Sequence, residues 1–164
     1  TSSTMEALPY VGGRASMVLL VPDVGGFRSF EEGLDRERLE EILRSLQPRE
    51  VDLQMPKFTY QRTLALAEVL ASMGMPNAFD PRRADFSGMD GTRLLHITDV
   101  LHKAFVAVDE KGTEAAAATG VVVGLEAVPT VEVHLVVDRP FIYLIRDEGT
   151  GAILFMGRVL DPTG

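Results

Sequence analysis

The sequence predicts an α+β fold of mostly antiparallel strands with a few helices. Short apolar runs bounded by glycine and proline, which are typical of strands, occur near the start of the chain and throughout its last third. Between them lie two segments whose apolar residues recur at helical spacing. Strands grouped apart from helices, without regular strand–helix alternation, are typical of the α+β class.

Two strands are predicted in the first third of the chain. Residues 15–21 are apolar and are bounded by two turn signals, the glycine pair at 12–13 and Pro22. Residues 51–55 alternate between apolar and polar side chains, which indicates a strand with one buried face.

Two amphipathic helices are predicted on either side of that second strand. Asp35 can cap the first helix, which Pro48 would stop. Thr63 is predicted to cap the second helix, which would end at Gly74. The apolar faces consist of Leu39, Ile42, Leu43 and Leu46 in the first helix and Leu66, Val69, Leu70 and Met73 in the second.

The rest of the chain is predicted to be a loop-rich region followed by strands. Residues 75–93 contain two prolines and two glycines, which favour loops. Residues 105–108 form a continuous apolar run that suits a strand covered on both faces. Three later strands are predicted at 131–137, 141–146 and 152–159, with a hairpin turn at Gly149-Thr150-Gly151.

Composition and charge exclude several classes of function. The 164 residues include no cysteine, which excludes disulfides, thiol nucleophiles and zinc–thiolate sites. A net charge of −8, with Arg82-Arg83 as the only adjacent basic pair, argues against a nucleic-acid partner. No apolar run approaches the roughly 20 residues of a membrane span, so no membrane partner is expected. Catalytic and phosphate-binding motifs are absent from the sequence, and we expect no enzyme activity, cofactor or metal site.

Residues 109–120 are the most informative segment of the chain. Gly112 and Gly120 bracket a run of alanines, and valines stand on both sides. The odd positions from Thr113 to Leu125 are uncharged, whereas Glu114 and Glu126 lie at even positions. Because alternate side chains of a strand point to opposite faces, this pattern favours a strand with one buried face. A flexible linker or a short helix is the alternative, since alanine has the highest helix propensity.

Residues 109–117, Asp-Glu-Lys-Gly-Thr-Glu-Ala-Ala-Ala, resemble the reactive-loop hinge of the serpins, a family that mostly inhibits serine proteases. Further segments resemble serpin motifs in the order that the family requires: residues 84–89, 100–104, 135–145 and 155–162. The resemblance covers the C-terminal part of the fold, from about Leu8 onward. It implies that residues 1–164 are part of a single serpin domain with a reactive-centre loop at about 110–130.

The resemblance implies inhibition of a serine-type endopeptidase by a suicide-substrate mechanism. In this mechanism the protease cleaves the loop, and the segment before the cleaved bond inserts into a β-sheet as a new strand. Such a segment needs a flexible start, small inward-facing side chains and no proline, since proline would remove a ladder hydrogen bond. The hinge residues that the resemblance assigns are Glu110, Lys111, Gly112, Thr113, Glu114, Ala115, Ala116, Ala117, Ala118 and Thr119.

The position of the reactive bond depends on whether residues are counted forward from the hinge or back from the C-terminal signature. Spacing from the hinge gives Glu126-Ala127, whereas counting back from the C-terminal signature gives a bond near Pro129-Thr130. We favour the hinge count, because insertion length constrains the mechanism and a bond beside proline suits most proteases badly. The nearest competitor is Leu125-Glu126, which would change the target from a glutamate-preferring protease to a chymotrypsin- or elastase-like one.

Of the three histidines, His102 matches a serpin histidine in the zone where the central sheet opens. On the sequence alone it is better interpreted as a hydrogen-bonded core histidine, because it lies inside an apolar strand. His96 and His134 are predicted at the surface. Glu110 matches a charged residue at the top of the sheet, and a simple strand-end charge is the alternative.

The expected partners are a serine protease and the complementary N-terminal part of the same fold, because a whole serpin is well over twice this length. An extracellular location is implied by the family alone. Two alternatives remain. One is a binding module that keeps the serpin fold without inhibition, which the small hinge residues disfavour. The other is a truncated fragment that only associates with a complementary chain.

Overall fold

The computed structural model describes residues 3–47, 49–109, 112–113 and 133–162. The strands in this part of the chain are β1 (Ser3–Pro9), β2 (Ala15–Pro22), β3 (Val51–Gln54), β4 (Phe58–Ala65), β5 (Leu101–Asp109), β6 (Gly112–Thr113), β7 (Val133–Val136), β8 (Phe141–Asp147) and β9 (Ile153–Val159). The helices are α1 (Phe27–Glu32), α2 (Arg36–Ser45), α3 (Ala67–Ser72), α4 (Pro76–Phe79) and α5 (Ser87–Asp90). The chain forms two compact units, residues 1–58 with 108–164, and residues 59–107.

The first unit is built on a four-stranded antiparallel sheet in the order β1-β2-β8-β9. β2 and β8 are its central strands, and their continuous apolar sequences are buried along most of their length. The turn between β1 and β2 places Gly12 and Gly13 at φ values of 89° and 64°, a region that glycine enters without steric cost. The glycine pair therefore sets the hairpin that aligns the two strands.

The core of the first unit lies between this sheet and helices α1 and α2. The central strands contribute four residues to one buried cluster, which also includes a residue from each helix: Val18, Leu20, Ile142 and Leu144. Phe30 of α1 and Ile42 of α2 are the helical members of the cluster. The ring of Phe58 contacts the rings of Phe141 and Tyr143, at centroid distances of 5.8 and 5.5 Å respectively. Close-packed aromatic contacts of this kind add to the burial of apolar area.

α2 confirms its predicted start and apolar face. Asp35 lies just before the helix, and its Oδ1 accepts a hydrogen bond from the Arg38 N–H at 2.8 Å. This satisfies one of the N–H groups that a helix start leaves without an intrahelical partner. On the exposed face, Glu40 accepts hydrogen bonds from Arg36 and Arg44, one turn away on each side.

The predicted second helix starts in the wrong place. Thr63 lies inside β4, and the helix begins only at Ala67, with Leu66 as its N-cap and no side-chain hydrogen bond at the cap. The Leu66 N–H instead donates to the carbonyl of Val100 at 2.8 Å. Pairing with a distant segment therefore extends β4 past Thr63, the residue that local capping chemistry favours as the start of the helix. Gly74 follows the helix at a φ of 110°, as predicted for its end.

Five elements are missing from the sequence prediction: β1, β4, α1, α4 and α5. β1 and β4 carry many polar residues, and α1 is too short to show helical periodicity. The predicted strands at 15–21, 51–55, 141–146 and 152–159 are confirmed, as is the described part of the strand predicted at 131–137. The strand predicted for the hinge segment lies mostly outside the described residues. The short helices α4 and α5 lie within the region predicted to be rich in loops. In that region the Arg82 and Arg83 side chains are 89% and 70% exposed, as expected of a solvated turn.

The second unit contains the larger parts of β4 and β5, which are neighbours in one sheet, and helices α3 to α5. The Ile97 N–H donates a hydrogen bond to the carbonyl of Ala78 at 2.9 Å. This bond links the segment before β5 to the end of α4. Among the described residues, no helix is long and apolar enough to cross a bilayer.

Candidate functional site

The candidate site is the junction between β5 and the predicted reactive loop. β6 consists of two residues of the predicted hinge, Gly112 and Thr113, and pairs with the end of β5. The pairing is antiparallel, with Thr113 opposite Val108 and Gly112 opposite Asp109. The chain thus reverses direction at the hinge, and the loop begins alongside the strand that leads into it.

β5 has one buried face, whereas the sequence predicts that residues 105–108 are covered on both. Val106 and Val108 are 4% and 7% exposed, but Phe105 is 50% exposed and Leu101 is 71% exposed. The even-numbered residues toward the C-terminal end of β5 therefore point to the covered side. A continuous apolar run does not distinguish a strand with two covered faces from one with a single covered face, because both can consist of apolar residues.

His102 lies on β5, and its side chain is exposed. The interpretation as a buried core histidine is therefore wrong for this chain. The first residues of β5 are exposed on both faces, which leaves the imidazole accessible. The role of His102 in sheet opening stays a prediction.

The other predicted loop residues lie outside the part of the chain that the structure describes. These residues are Glu110, Lys111, Glu114, Ala115, Ala116, Ala117, Ala118, Thr119, Leu125, Glu126, Ala127, Pro129 and Thr130. The structure thus places two hinge residues by their backbone, and it leaves the position of the reactive bond a prediction.

β7 is the first described strand after the loop. It pairs in parallel with β3, and this register sets His134 opposite Asp52. The two side chains meet across the strands, with 3.0 Å between His134 Nδ1 and Asp52 Oδ2. The exposure of His134 confirms its predicted surface position, whereas His96 is half-buried. The partnership with Asp52 carries no signal in the sequence, because 82 positions separate the two residues.

The segment 84–89 forms a polar turn that carries one of the serpin-like motifs. Ala84 is buried, and Asp85 Oδ1 accepts hydrogen bonds from the Ser87 hydroxyl at 2.6 Å and the Ser87 N–H at 3.2 Å. These hydrogen bonds, the hydroxyl one above all, lower the pKa of Asp85. Arg93 also forms an ion pair with the same carboxylate at 3.0 Å. The motif therefore stabilises a turn, and within the described ranges no group of three or more His, Asp or Glu side chains could hold a metal ion.

The solved structures that resemble this chain are serpins. The native thermophilic serpin tengpin superposes with a TM-score of 0.73 at 31% identity, over 97% of this chain and 45% of tengpin. Human glycosylated kallistatin gives a TM-score of 0.77 at 31% identity, over 98% of this chain and 41% of kallistatin. The class of fold is thus the α+β serpin fold, of which this chain covers a part.

The sequence comparisons agree. The family model described as serpin, serine protease inhibitor, matches residues 1–162, so the match begins before Leu8. An uncharacterized serpin-like protein of Thermococcus kodakarensis is 42% identical over 94% of this chain and 36% of its own length. The human leukocyte elastase inhibitor is 39% identical over 94% of this chain and 42% of its own length. The chain belongs to the serpin family, and it spans about two fifths of the length of these relatives.

Proposed function

We propose that the protein to which this chain belongs inhibits a serine-type endopeptidase by inserting its cleaved reactive loop beside β5. The observation that carries this proposal is the antiparallel register of Thr113 with Val108 and of Gly112 with Asp109. This pairing is the first step of a strand that could extend along the whole of β5.

The same register, continued along β5, would set Ala115 opposite Val106, Ala117 opposite Ala104 and Thr119 opposite His102. Directly opposite residues of an antiparallel pair share one face of the sheet. The small and uncharged odd-numbered residues of the loop would therefore share the covered face with Val106 and Val108. Glu114 would share the opposite face with Ala107. The pattern of alternate residues and the observed register support the same buried side.

The free energy of such an insertion is of the same order as the stability of a protease domain. About a dozen inserted residues, each adding backbone hydrogen bonds worth roughly 0.5–1.5 kcal/mol net, sum to about 10 kcal/mol. A typical protease domain is itself stable by only about 5–15 kcal/mol. Insertion of the loop could therefore distort the active site of a protease that is still attached to the cleaved end by an acyl bond.

The inserted strand needs a second neighbour on its other side. The relatives are more than twice as long as this chain. We propose that the whole protein supplies this neighbour from the complementary N-terminal part of the fold. In this proposal the isolated chain of 164 residues does not inhibit by itself.

The test uses the whole protein and three proteases: an elastase-like, a chymotrypsin-like and a glutamate-specific enzyme. We expect one of them to form a complex that survives denaturing electrophoresis. Mass spectrometry of the released C-terminal peptide then identifies the cleaved bond, which we propose to be Glu126-Ala127, with Leu125-Glu126 as the competitor. The name of the human relative, leukocyte elastase inhibitor, makes the elastase-like enzyme the first to test. Cleavage of the loop by all three enzymes without a stable complex would contradict inhibition and favour a non-inhibitory binding module.

A further inference from the structure

The pairing of β3 with β7 holds the first described strand after the predicted loop. The two strands are parallel and pair over four residues each. At the ends of the ladder, the Val133 N–H donates to the carbonyl of Glu50 at 3.2 Å, and the Val137 N–H donates to the carbonyl of Gln54 at 2.8 Å. Parallel pairing is slightly less stable per residue than antiparallel pairing, and so short a ladder has few hydrogen bonds. Side-chain contacts between the two strands therefore matter to how firmly β7 is held.

The two faces of this strand pair differ in chemistry. One face is apolar and half-buried or buried, and it consists of Val51, Leu53, Val133 and Leu135. The other face is exposed in this chain and mostly polar, and it consists of Asp52, Gln54, His134 and Val136. Contacts on the apolar face do not involve a titratable group. Any response of the strand pair to pH therefore comes from the polar face.

The contact between His134 and Asp52 depends on the charge of the imidazole. Its Nδ1 lies 3.0 Å from Asp52 Oδ2. A protonated imidazole donates from Nδ1 and carries a positive charge, so its hydrogen bond to the carboxylate is charge-assisted. A neutral imidazole loses the charge, and in the tautomer with its proton on Nε2 it also loses the donor. An imidazole changes its charge between about pH 5 and 8, where a carboxylate normally stays ionised, and the contact weakens over that range.

The neighbouring groups leave this response to the pair itself. From β3, the polar face presents the uncharged Gln54 beside Asp52, and the next residue of β7 on that face is the apolar Val136. Arg49 and Glu50 directly precede β3 and carry opposite charges, so together they add no net charge beside the pair.

We propose that His134 and Asp52 form a pH-dependent clasp, which holds β7 on β3 more firmly when the imidazole is protonated. The extra hold is present below the titration range of the imidazole and is lost as the pH rises through it. Because the side chains are 73% and 48% exposed, the effect on the opening of β7 is about two- to fivefold. The clasp would set how firmly the C-terminal end of the loop is held, a consequence that rests on the proposed function.

The test measures hydrogen exchange in the whole protein by mass spectrometry at about pH 5.5 and about pH 8, on either side of the usual titration of histidine. A peptic peptide that covers β7 contains the Val137 N–H, whose hydrogen bond to Gln54 breaks when β7 opens. After correction for the chemical exchange rate, which itself rises with pH, we expect β7 to open about two- to fivefold more often at the higher pH. Peptides from β2 and β8 report any general loss of stability.

Three variants test the residues of the clasp. His134→Gln keeps a donor but does not titrate, and Asp52→Asn removes the charge of the carboxylate, so each should abolish the pH dependence of β7 opening. His96→Gln removes a histidine of the second unit and should leave that dependence unchanged.

Opening of β7 that does not change with pH would overturn the clasp, as would an unaltered pH dependence in His134→Gln. If His134→Gln or Asp52→Asn does not fold, the pH profile of the unaltered protein decides. No protease is present in these measurements, so failure of the clasp and failure of the proposed inhibition are separate results.

Discussion

The ring of Tyr143 lies directly over Gly157. The two residues are opposite each other in the β8–β9 ladder. A Cβ added at position 157 would be 2.5 Å from Tyr143 Oη and 2.6 and 2.7 Å from two of its ring carbons. Glycine is therefore required at this point of β9 because the aromatic ring occupies the space of a side chain. Tyr143 itself is 2% exposed and also packs against Phe58.

We expect Gly157→Ala to destabilise the first unit by about 1–3 kcal/mol, the usual cost of overpacking a core. Urea unfolding followed by circular dichroism measures the change. The matched control is Gly149→Ala in the same hairpin, where the nearest atom to an added Cβ is Asp147 Oδ2 at 3.5 Å. Equal stability of the two variants would show that the ring moves aside at little cost.

The cap of α2 is the basis of a second prediction. Asp35→Ala removes the hydrogen bond from the Arg38 N–H and should cost about 1 kcal/mol of unfolding free energy. Glu41→Ala, on the exposed side of the same helix, is the control and should change stability by a few tenths of a kcal/mol at most. The comparison is made by urea unfolding. A loss in Glu41→Ala as large as that in Asp35→Ala would contradict the capping role.

The β8–β9 turn predicts a specific pH dependence. Asp147 Oδ2 accepts hydrogen bonds from the Thr150 hydroxyl at 2.6 Å and the Thr150 N–H at 2.8 Å, and these lower the pKa of Asp147. Because the pKa is lower in the folded state, this stabilisation is present above the pKa of the unfolded chain. It is lost as the pH falls through the folded pKa.

Thr150→Ala should therefore raise the pKa of Asp147 toward its ordinary value. Nuclear magnetic resonance titration of the side-chain carboxyl carbon measures this change directly. Asp85, whose pKa is lowered by hydrogen bonds from Ser87, is an internal control that should not move. An Asp147 titration that is unaltered in Thr150→Ala would show that the hydroxyl is not the cause.

The proposed insertion makes a prediction about alternate loop residues. In the register of the hinge, Ala115 would face the covered side beside Val106, and Ala116 would face the more exposed side beside Phe105. In the whole protein, Ala115→Glu should convert the inhibitor into an ordinary substrate, because insertion would bury an unpaired carboxylate. Ala116→Glu adds the same charge and should keep most of the inhibition.

The measurement is the ratio of stable complex to cleaved protein on denaturing gels, with the protease that forms the complex. The two substitutions add the same charge and differ only in the face of the proposed strand on which they lie. Equal loss of the stable complex in both variants would therefore contradict insertion in the register of Thr113 with Val108.

The strand and helix prediction succeeds where local patterns are strong. The buried strand β2, the Asp35 cap and the hairpin at residues 149–151 each follow from a few adjacent residues, and the structure confirms all three. The prediction is wrong at Thr63, where strand pairing overrides a capping preference. It also misses the edge strand β1, because the polar residues of β1 obscure the apolar pattern that indicates a strand. Burial in these elements depends on neighbours that are distant in sequence.

The sequence by itself determined the family, because ordered motifs and a hinge of small residues are local features that can be read without coordinates. Only the tertiary structure decided which side of β5 is covered and how the hinge is registered on it. The physical reason is that register and burial arise from contacts between strands far apart in the chain. Alternation predicts two faces for the hinge segment, but only the pairing of Thr113 with Val108 indicates which face it would bury.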